Sequence, residues 1–284
     1  MPQERIWAPP GLIREDHDEP SVFRAESLLR EARRQRQLPL GNVPEVCLLD
    51  PDGDVVRFLI RSGQGRRSPT WACYHTELWE TDFQTQRIGV VGQAVGAPFA
   101  VLIAEQLIVS GCQLVVSVTS AGQLDPSLEL PATILADFAL RGEGTSYAYL
   151  PPGRFAEGDR QLLDAVHAAL HRAGISAVRG GTWTTDAPFR ETRSAIDAAA
   201  KLGLKAIEME IAGLYAFAAA REQPVVCFAL VTNQMAQIEG DFEKGPDDGA
   251  GHALSLAAAA ATGWRIWVNS DNHSADRQPS GELR

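Results

Sequence analysis

Short apolar runs alternate with amphipathic segments along most of the chain. Branched apolar runs predict buried strands, and apolar positions three or four residues apart predict helices. The predicted strands are Glu45–Leu49, Trp71–Trp79, Ile88–Val91, Leu114–Val118, Ala132–Asp137, Ala177–Trp183, Ala206–Met209 and Val225–Val231. The predicted helices are Ser21–Arg36, Val55–Ile60, Phe99–Val109, Arg160–Ala173, Ser194–Leu202, Ile211–Arg221 and Ala250–Thr262. This alternation predicts a single α/β domain with a central mixed, largely parallel sheet flanked by helices.

The alternation fades at both ends of the chain. Residues 1–43 contain a segment rich in proline and charge and one amphipathic helix, which predicts an N-terminal arm and helix. Residues 44–263 form the predicted main domain, and residues 264–284 turn polar, which predicts a C-terminal tail. Ligands of α/β sheets bind beyond the carboxyl ends of the strands, so we looked for chemistry after each apolar run.

The net charge of the chain argues against one class of binding partner, nucleic acid. The chain has 26 Lys and Arg against 36 Asp and Glu, a formal net charge of −10. A negative surface repels a polyphosphate, so we expect no binding to nucleic acid. The basic run Arg30–Arg36 is interpreted as the solvated end of a helix.

The four cysteines, Cys47, Cys73, Cys112 and Cys227, are far apart and form no CxxC or Cys/His cluster. The sequence therefore predicts no metal site, and Cys47, Cys112 and Cys227 are interpreted as small buried apolar residues. The N-terminus lacks the apolar core of a signal peptide, and no apolar run reaches membrane-spanning length. We expect a cytoplasmic protein with no membrane partner.

The segment Asp50–Arg57, with the sequence DPDGDVVR, follows the first predicted strand. A glycine after a strand lets a backbone N–H approach an anion, and Arg57 lies one helical turn further on, within reach of the same anion. A calcium loop is excluded by spacing, because Val55 and Arg61 stand where Gly and Glu are needed. The remaining alternative is a tight turn with a surface arginine.

Two further strand ends carry candidate chemistry. Ser117–Gly122 (SVTSAG) offers small residues and a hydroxyl at Ser120, which alone is a weak signal. Glu208-Met209-Glu210 is a stronger one, because two carboxylates between an apolar strand and an apolar helix cost stability unless they have partners. A vicinal diol is one such partner, and a helix start that favours acids is the alternative.

At these residues the chain resembles the type I nucleoside phosphorylase superfamily, which includes purine nucleoside phosphorylases, uridine phosphorylases and methylthioadenosine nucleosidases. The matching segments follow the family's order at similar intervals over residues 45–263. They are Gly53 and Arg57, GQAVGAP at 92–98, Ser120-Ala121-Gly122, Thr185-Asp186 with Phe189, and IEMEIAGLYAFA at 207–218. The stretch EMExAGxYA, together with this order, is the most specific part of the match.

The resemblance implies a role for each matching residue. Gly53, Arg57 and Ser120 correspond to phosphate-binding positions, and Met209 and Glu210 to ribose-binding positions, with Glu208 as the neighbouring acid. Asn233 lies where purine enzymes of the hexameric type have a base-protonating Asp, so it is a candidate catalytic and base-binding residue beside Glu210. Phe189, Arg190 and Arg193 are candidate base-binding residues.

Three departures from the family pattern bear on the reaction. Ser117 stands where phosphorylases have a phosphate-binding Arg, and nucleosidases also lack this Arg. Asn233 replaces Asp, and an amide cannot protonate a base as a general acid. The family draws an Arg and a His from a neighbouring subunit; Arg66 or Arg67 is the candidate for the first, and His75 for the second. Arg66, Arg67 or Arg190 could also replace the missing Arg in space.

The resemblance implies a nucleoside phosphorylase that transfers a pentosyl group from a purine or pyrimidine base to phosphate. Phosphate would be the co-substrate, with no metal or organic cofactor, and the chain would assemble as a homo-oligomer, a trimer or hexamer. Two alternatives remain open: a nucleosidase that uses water, and a nucleoside-binding relative without catalysis.

Overall fold

The computed structural model describes residue 17, residues 19–234 and residues 244–275. Its strands are β1 (Val46–Asp50), β2 (Arg66–Arg67), β3 (Trp79–Phe83), β4 (Gln86–Gly92), β5 (Leu114–Gln123), β6 (Ala132–Gly142), β7 (Phe155–Glu157), β8 (Val178–Thr185), β9 (Ala206–Glu208) and β10 (Val225–Asn233). Its α-helices are α1 (Ala25–Arg36), α2 (Asp54–Ser62), α3 (Ala97–Val109), α4 (Arg160–Arg172), α5 (Arg193–Lys201), α6 (Ile211–Arg221) and α7 (Ala250–Ala275).

The strands form one mixed sheet, part of which closes on itself. Strand β5 pairs with both β9 and β10, and the pairings β10–β6, β6–β8 and β8–β9 complete a ring. From β5 the sheet continues through β1, β4, β3 and β2. The longest pairings, β5 with β10 and β6 with β8, are parallel. The predicted fold class is therefore confirmed.

Alternating strand residues bury into two layers of core. Cys47 and Leu49 of β1 pack in a cluster with residues of α3 and α6. Val46 and Leu48 of the same strand pack in a second cluster with residues of α2, α4 and α7. Because successive side chains of a strand point to opposite faces, helices cover the central strands on both sides. All four cysteines are free and buried.

The predicted strand Trp71–Trp79 is wrong. Residues 71–78 form no strand, although Trp71, Ala72, Cys73 and Leu78 are buried, and the strand begins only at Trp79. Two arginines of α1 donate hydrogen bonds to backbone carbonyls here. Arg33 donates to the oxygen of Thr70, just before the segment, at 3.2 Å, and Arg36 donates to the oxygen of Cys73 at 2.6 Å. The apolar residues are thus buried as a loop beneath a helix, and two residues of the basic run tether it.

The predicted C-terminal tail begins too early. Helix α7 runs without interruption from Ala250 to Ala275, and Trp264 is buried in the same core cluster as Leu254 and Leu256. The apparent polarity after residue 263 is therefore that of one face of a continuing helix. The predicted loose arm at residues 1–20 and the end of the tail, residues 276–284, lie almost entirely outside the described residues.

The described residues contain neither a helix suited to span a membrane nor a cluster of metal-binding side chains. None of the helices in this part of the chain combines the length and apolar character that a bilayer-spanning segment needs. The same residues contain no group of three or more His, Cys, Asp or Glu side chains arranged to hold a metal ion.

Candidate active site

The Glu210 carboxylate is enclosed at the start of α6. Only 1% of Glu210 is exposed, and each carboxylate oxygen has a donor from another element. The Gly96 N–H donates to Oε1 at 2.7 Å, and the Thr119 hydroxyl donates to Oε2 at 2.8 Å. Gly96 has φ +87°, which glycine adopts without strain, and this directs its N–H to the carboxylate just before α3 begins.

Burial, and after it the nearby Glu208 carboxylate, raises the pKa of Glu210 to about 8. The hydrogen bonds from Gly96, Thr119 and Met209 act in the opposite direction without cancelling this effect. Burial thus favours the protonated form of Glu210 in the empty site, and each further hydrogen-bond donor that reaches the carboxylate favours the ionised form.

The Glu208 carboxylate holds the strand–helix junction. Its Oε1 accepts from the hydroxyls of Thr182 and Thr184 of β8, at 3.0 and 2.6 Å. Its Oε2 accepts from the backbone N–H groups of Glu210 and Ile211, at 2.7 and 2.8 Å. Both oxygens are thus saturated inside the protein, so Glu208 positions the start of α6 and Glu210 is the acid that faces the candidate site.

The three predicted phosphate-binding residues lie after β1 and within the second half of β5. Their hydrogen-bond donors are bound to acceptors of the same chain. The Gly53 N–H donates to the Asp50 carbonyl at 2.9 Å. Arg57 donates to the Asp52 carbonyl at 2.9 Å and to the Asp54 carboxylate. The N–H and the hydroxyl of Ser120 both donate to the Asp52 carboxylate, at 3.3 and 3.1 Å.

A lysine completes this cluster. The Lys244 ammonium lies 3.0 Å from Asp52 Oδ2 and 2.6 Å from Asp54 Oδ2. Burial alone would lower the pKa of Lys244, but the carboxylates of Asp54 and Asp52 outweigh it and raise that pKa. Lys244 is therefore a firmly charged cation that lies close to Ser120 through their shared partner Asp52.

Strand β5 binds both Glu210 and the polar cluster formed by Asp52, Asp54, Arg57, Ser120 and Lys244. Ser120 binds the Asp52 carboxylate, and the preceding residue of β5, Thr119, binds the Glu210 carboxylate, so consecutive residues of one strand carry the two contacts. Asn233 joins them from β10, where it is buried opposite Gly122 and donates to the Ala121 carbonyl at 3.3 Å. The fold thus brings Gly53, Arg57, Ser120, Glu210 and Asn233 to one end of the sheet.

The predicted base-binding residues are arranged differently. Phe189 is 99% exposed, and Arg190 and Arg193 are also exposed around the start of α5. No described hydrogen bond or ring contact joins Phe189 or Arg190 to Glu210 or Asn233. Met209 is half-buried between the two acids. Phe189, Arg190 and Arg193 therefore lie on the surface of a single chain.

The arginines considered as replacements at the phosphate site lie elsewhere in this chain. Arg66 and Arg67 form the exposed strand β2, where they pair with Glu80 and Glu77 at 3.1 and 2.8 Å. His75 is exposed, and its ring meets Phe99 of the first turn of α3 edge-on, with centroids 6.3 Å apart. Lys244 and Arg57 are the cations that contact Asp52 and Asp54 among the described residues.

Sequence reasoning missed four contributors to the site: Asp52, Gly96, Thr119 and Lys244. Three of them lie inside the quoted segments DPDGDVVR, GQAVGAP and SVTSAG, and an acid directly before Gly53 was a visible signal. Lys244 had no such signal, because its position depends on the path of the chain between β10 and α7.

Comparison with known proteins decides the family. The model of the phosphorylase superfamily matches residues 46–263, more than half of the chain. The chain belongs to the phosphorylase superfamily. Its relatives there include nucleoside phosphorylases, which are pentosyltransferases, and a nucleosidase is found among its structural neighbours.

Two curated relatives illustrate the range of the superfamily. The DeoD-type purine nucleoside phosphorylase of Streptococcus pyogenes serotype M12 is 30% identical over 139 residues, 48% of this chain and 59% of that protein. The uridine phosphorylase of Thermococcus kodakarensis is 26% identical over 190 residues, 58% of this chain and 69% of that protein. The chain spans about three fifths of the length of the purine relatives that it matches.

Solved structures show the shared superfamily fold. A purine nucleoside phosphorylase from Toxoplasma gondii in complex with immucillin-H superposes with a TM-score of 0.66 at 19% identity, covering 79% of this chain and 93% of that one. An AMP nucleosidase from Bacteroides thetaiotaomicron gives 0.64 at 20% identity, covering 89% of this chain and 100% of that one.

Proposed function

We propose that this chain cleaves the N-glycosidic bond of a nucleoside, releasing the free base. The observation that carries the proposal is the buried Glu210 carboxylate, which Thr119 of β5 binds while the next residue, Ser120, binds the polar cluster. The named relatives act on purine nucleosides and on uridine, which supports a nucleoside as substrate.

Glu210 is suited to bind the pentose. An ionised carboxylate accepts hydrogen bonds from both hydroxyls of a vicinal diol and opposes the positive charge that develops on the sugar as the bond breaks. Its contacts with Gly96 and Thr119 fix it before the substrate binds, so it needs little reorganisation in the transition state. Met209 and Glu208 complete the pentose side, the latter as a positioning residue.

The base side is proposed to involve Asn233 together with Phe189, Arg190 and Arg193. Asn233 can donate to or accept from a purine or a pyrimidine but cannot protonate it, so it would assist by a hydrogen bond to the departing base. Its position two residues beyond Val231, opposite Gly122 of β5, places it on the same sheet edge as Ser120.

Phosphate is the acceptor that the named relatives suggest, which would yield free base and (deoxy)ribose 1-phosphate. The grouping of Gly53, Arg57 and Ser120 supports this candidate. Water is the second candidate and would make the chain a nucleosidase. The contact of Asp52 with Ser120 and the presence of Ser117 in place of an arginine favour it.

The proposal is tested by incubating the protein with inosine, uridine and adenosine and measuring release of free base. We expect release from at least one nucleoside. Glu210→Gln should lower kcat/KM by a factor on the order of 10² or more, because it removes the charge that stabilises the transition state. Glu157→Gln, at an exposed position of β7, is the matched control and should behave as the parent does. A protein that binds nucleosides without cleaving any would refute the proposal.

A further inference from the structure

The polar cluster beyond β1 has no excess of positive charge. Asp52 and Asp54 supply two negative charges, and Arg57 and Lys244 supply two positive ones, all joined by ion pairs or hydrogen bonds. A site built to hold an inorganic anion presents an excess of positive charge and unused donors. This cluster already satisfies its cations with carboxylates of the same chain.

The donors expected for an external anion are also occupied. The Asp52 carboxylate accepts hydrogen bonds from both the N–H and the hydroxyl of Ser120, and the Asp50 carbonyl accepts one from the Gly53 N–H. The two oxygens of the Asp52 carboxylate therefore lie where two oxygens of a phosphate would bind Ser120. Phosphate could use these donors only after Asp52 had moved away.

Ser117 supplies no compensating donor. It is completely buried, and its hydroxyl has no hydrogen-bond partner within the described part of the chain. A neutral serine there lacks the fork of donors with which an arginine binds phosphate. Phosphate entering beside Asp52 would thus add negative charge to a cluster with no excess of positive charge, next to a like charge that is held in place by Lys244.

We propose that Asp52 sets the acceptor of the reaction: its carboxylate fills the anion pocket, so that water rather than phosphate takes the pentose. This inference rests on the proposed cleavage of an N-glycosidic bond. The water oxygen bonds to C1′ while the C1′–N bond breaks with its electron pair on the base nitrogen. One proton of the water ends on the base, and the products are free base and free pentose. Asp52 is the residue that determines specificity for the acceptor.

The first measurement uses the unaltered protein with its best nucleoside, with and without inorganic phosphate, and identifies the sugar product. We expect a rate that does not respond to phosphate, with free pentose as product. A rate that requires phosphate and yields pentose 1-phosphate would overturn the inference and leave the proposed bond cleavage intact. Failure to release any base would instead count against the proposed function.

The second measurement is binding of inorganic phosphate by calorimetry, which does not depend on catalysis. Asp52→Asn keeps the size of the side chain and removes its charge, so phosphate should bind the variant at least about tenfold more tightly than the parent. Asp247→Asn is the control, because Asp247 pairs with Arg61 near Lys244 without contacting Ser120. It should not change phosphate binding.

Equal phosphate affinity for the parent and a folded Asp52→Asn variant would overturn the inference. If that variant does not fold, as judged by circular dichroism, the affinity of the parent decides the question. Tight phosphate binding by the parent would mean that Asp52 yields to the anion, which contradicts the proposal.

Discussion

At the residue scale, Glu208 and Glu210 show how position divides the work of two similar side chains. They are two positions apart and both nearly fully buried, yet Glu208 is saturated by four donors that fix the junction of β9 and α6. Glu210 accepts hydrogen bonds from Gly96 and from Thr119, the residue before Ser120 of the polar cluster. The surroundings of each carboxylate therefore assign Glu208 a positioning role and leave Glu210 as the candidate for substrate binding.

Glu210 should also make stability depend on pH. Its pKa is about 8 in the folded protein and near 4.5 when unfolded. Between these values the folded state keeps a proton that the unfolded state has released, so the free energy of unfolding falls as pH rises. Urea unfolding from about pH 5 to about pH 9 should show this decline, and Glu210→Gln should reduce it by a few kcal/mol. An identical slope in the parent and the variant would contradict the prediction.

The sequence indicated candidate site residues but not the contacts that they make. The motifs located Gly53, Ser120 and Glu210, because glycine after a strand and acids beside apolar residues are local patterns. Lys244 and the contact between Asp52 and Ser120 arise from pairing β1 with β5 and from the path back into α7, which local patterns do not encode.

At the scale of elements, periodicity located nearly all of the helices and most strands, and it failed where tertiary contacts override it. The run at 71–79 has the composition of a strand, but arginines of α1 bind the Cys73 carbonyl within it and the Thr70 carbonyl just before it. Strand β3 is polar in sequence (WETDF) and becomes a strand through its hairpin with β4. The first error arises from a contact with residues distant in the sequence, and the second from the pairing of a polar segment with the neighbouring strand.

The contact between α4 and α7 sets a requirement for glycine. A Cβ added at Gly263 would lie 2.6 Å from the Val166 Cα and 2.8 Å from the Val166 nitrogen, and the backbone of α4 cannot give way as a side chain can. We expect Gly263→Ala to lower the free energy of unfolding by about 1–3 kcal/mol through overpacking.

Gly251→Ala, in the same helix, is the matched control, since nothing lies within 4 Å of its added Cβ. Alanine is the better helix former, so this variant should be as stable as the parent or slightly more stable. Denaturant unfolding of both variants decides the matter. Equal stability of the two would show that α7 can shift away from α4.

At the scale of the whole molecule, an exposed base end suggests assembly. Phe189 is 99% exposed, and Arg190 and Arg193 are exposed as well, so a single chain leaves these proposed base contacts uncovered. We expect copies of the chain to associate as a trimer or hexamer and to close this end. Sedimentation equilibrium should then give a mass of three or six times 30.7 kDa. A mass of one chain at the concentrations used for assay would refute this expectation.

The saturated Glu208 has a consequence for the range of molecules that this protein accepts. Hydrogen bonds there join β8, β9 and the first turn of α6, so the Glu210 carboxylate proposed to bind the pentose is held in one position. Three of the proposed base contacts, Phe189, Arg190 and Arg193, lie by contrast on the surface of the chain, outside this corner. A search for natural ligands should therefore keep the sugar constant and vary the ring attached to it.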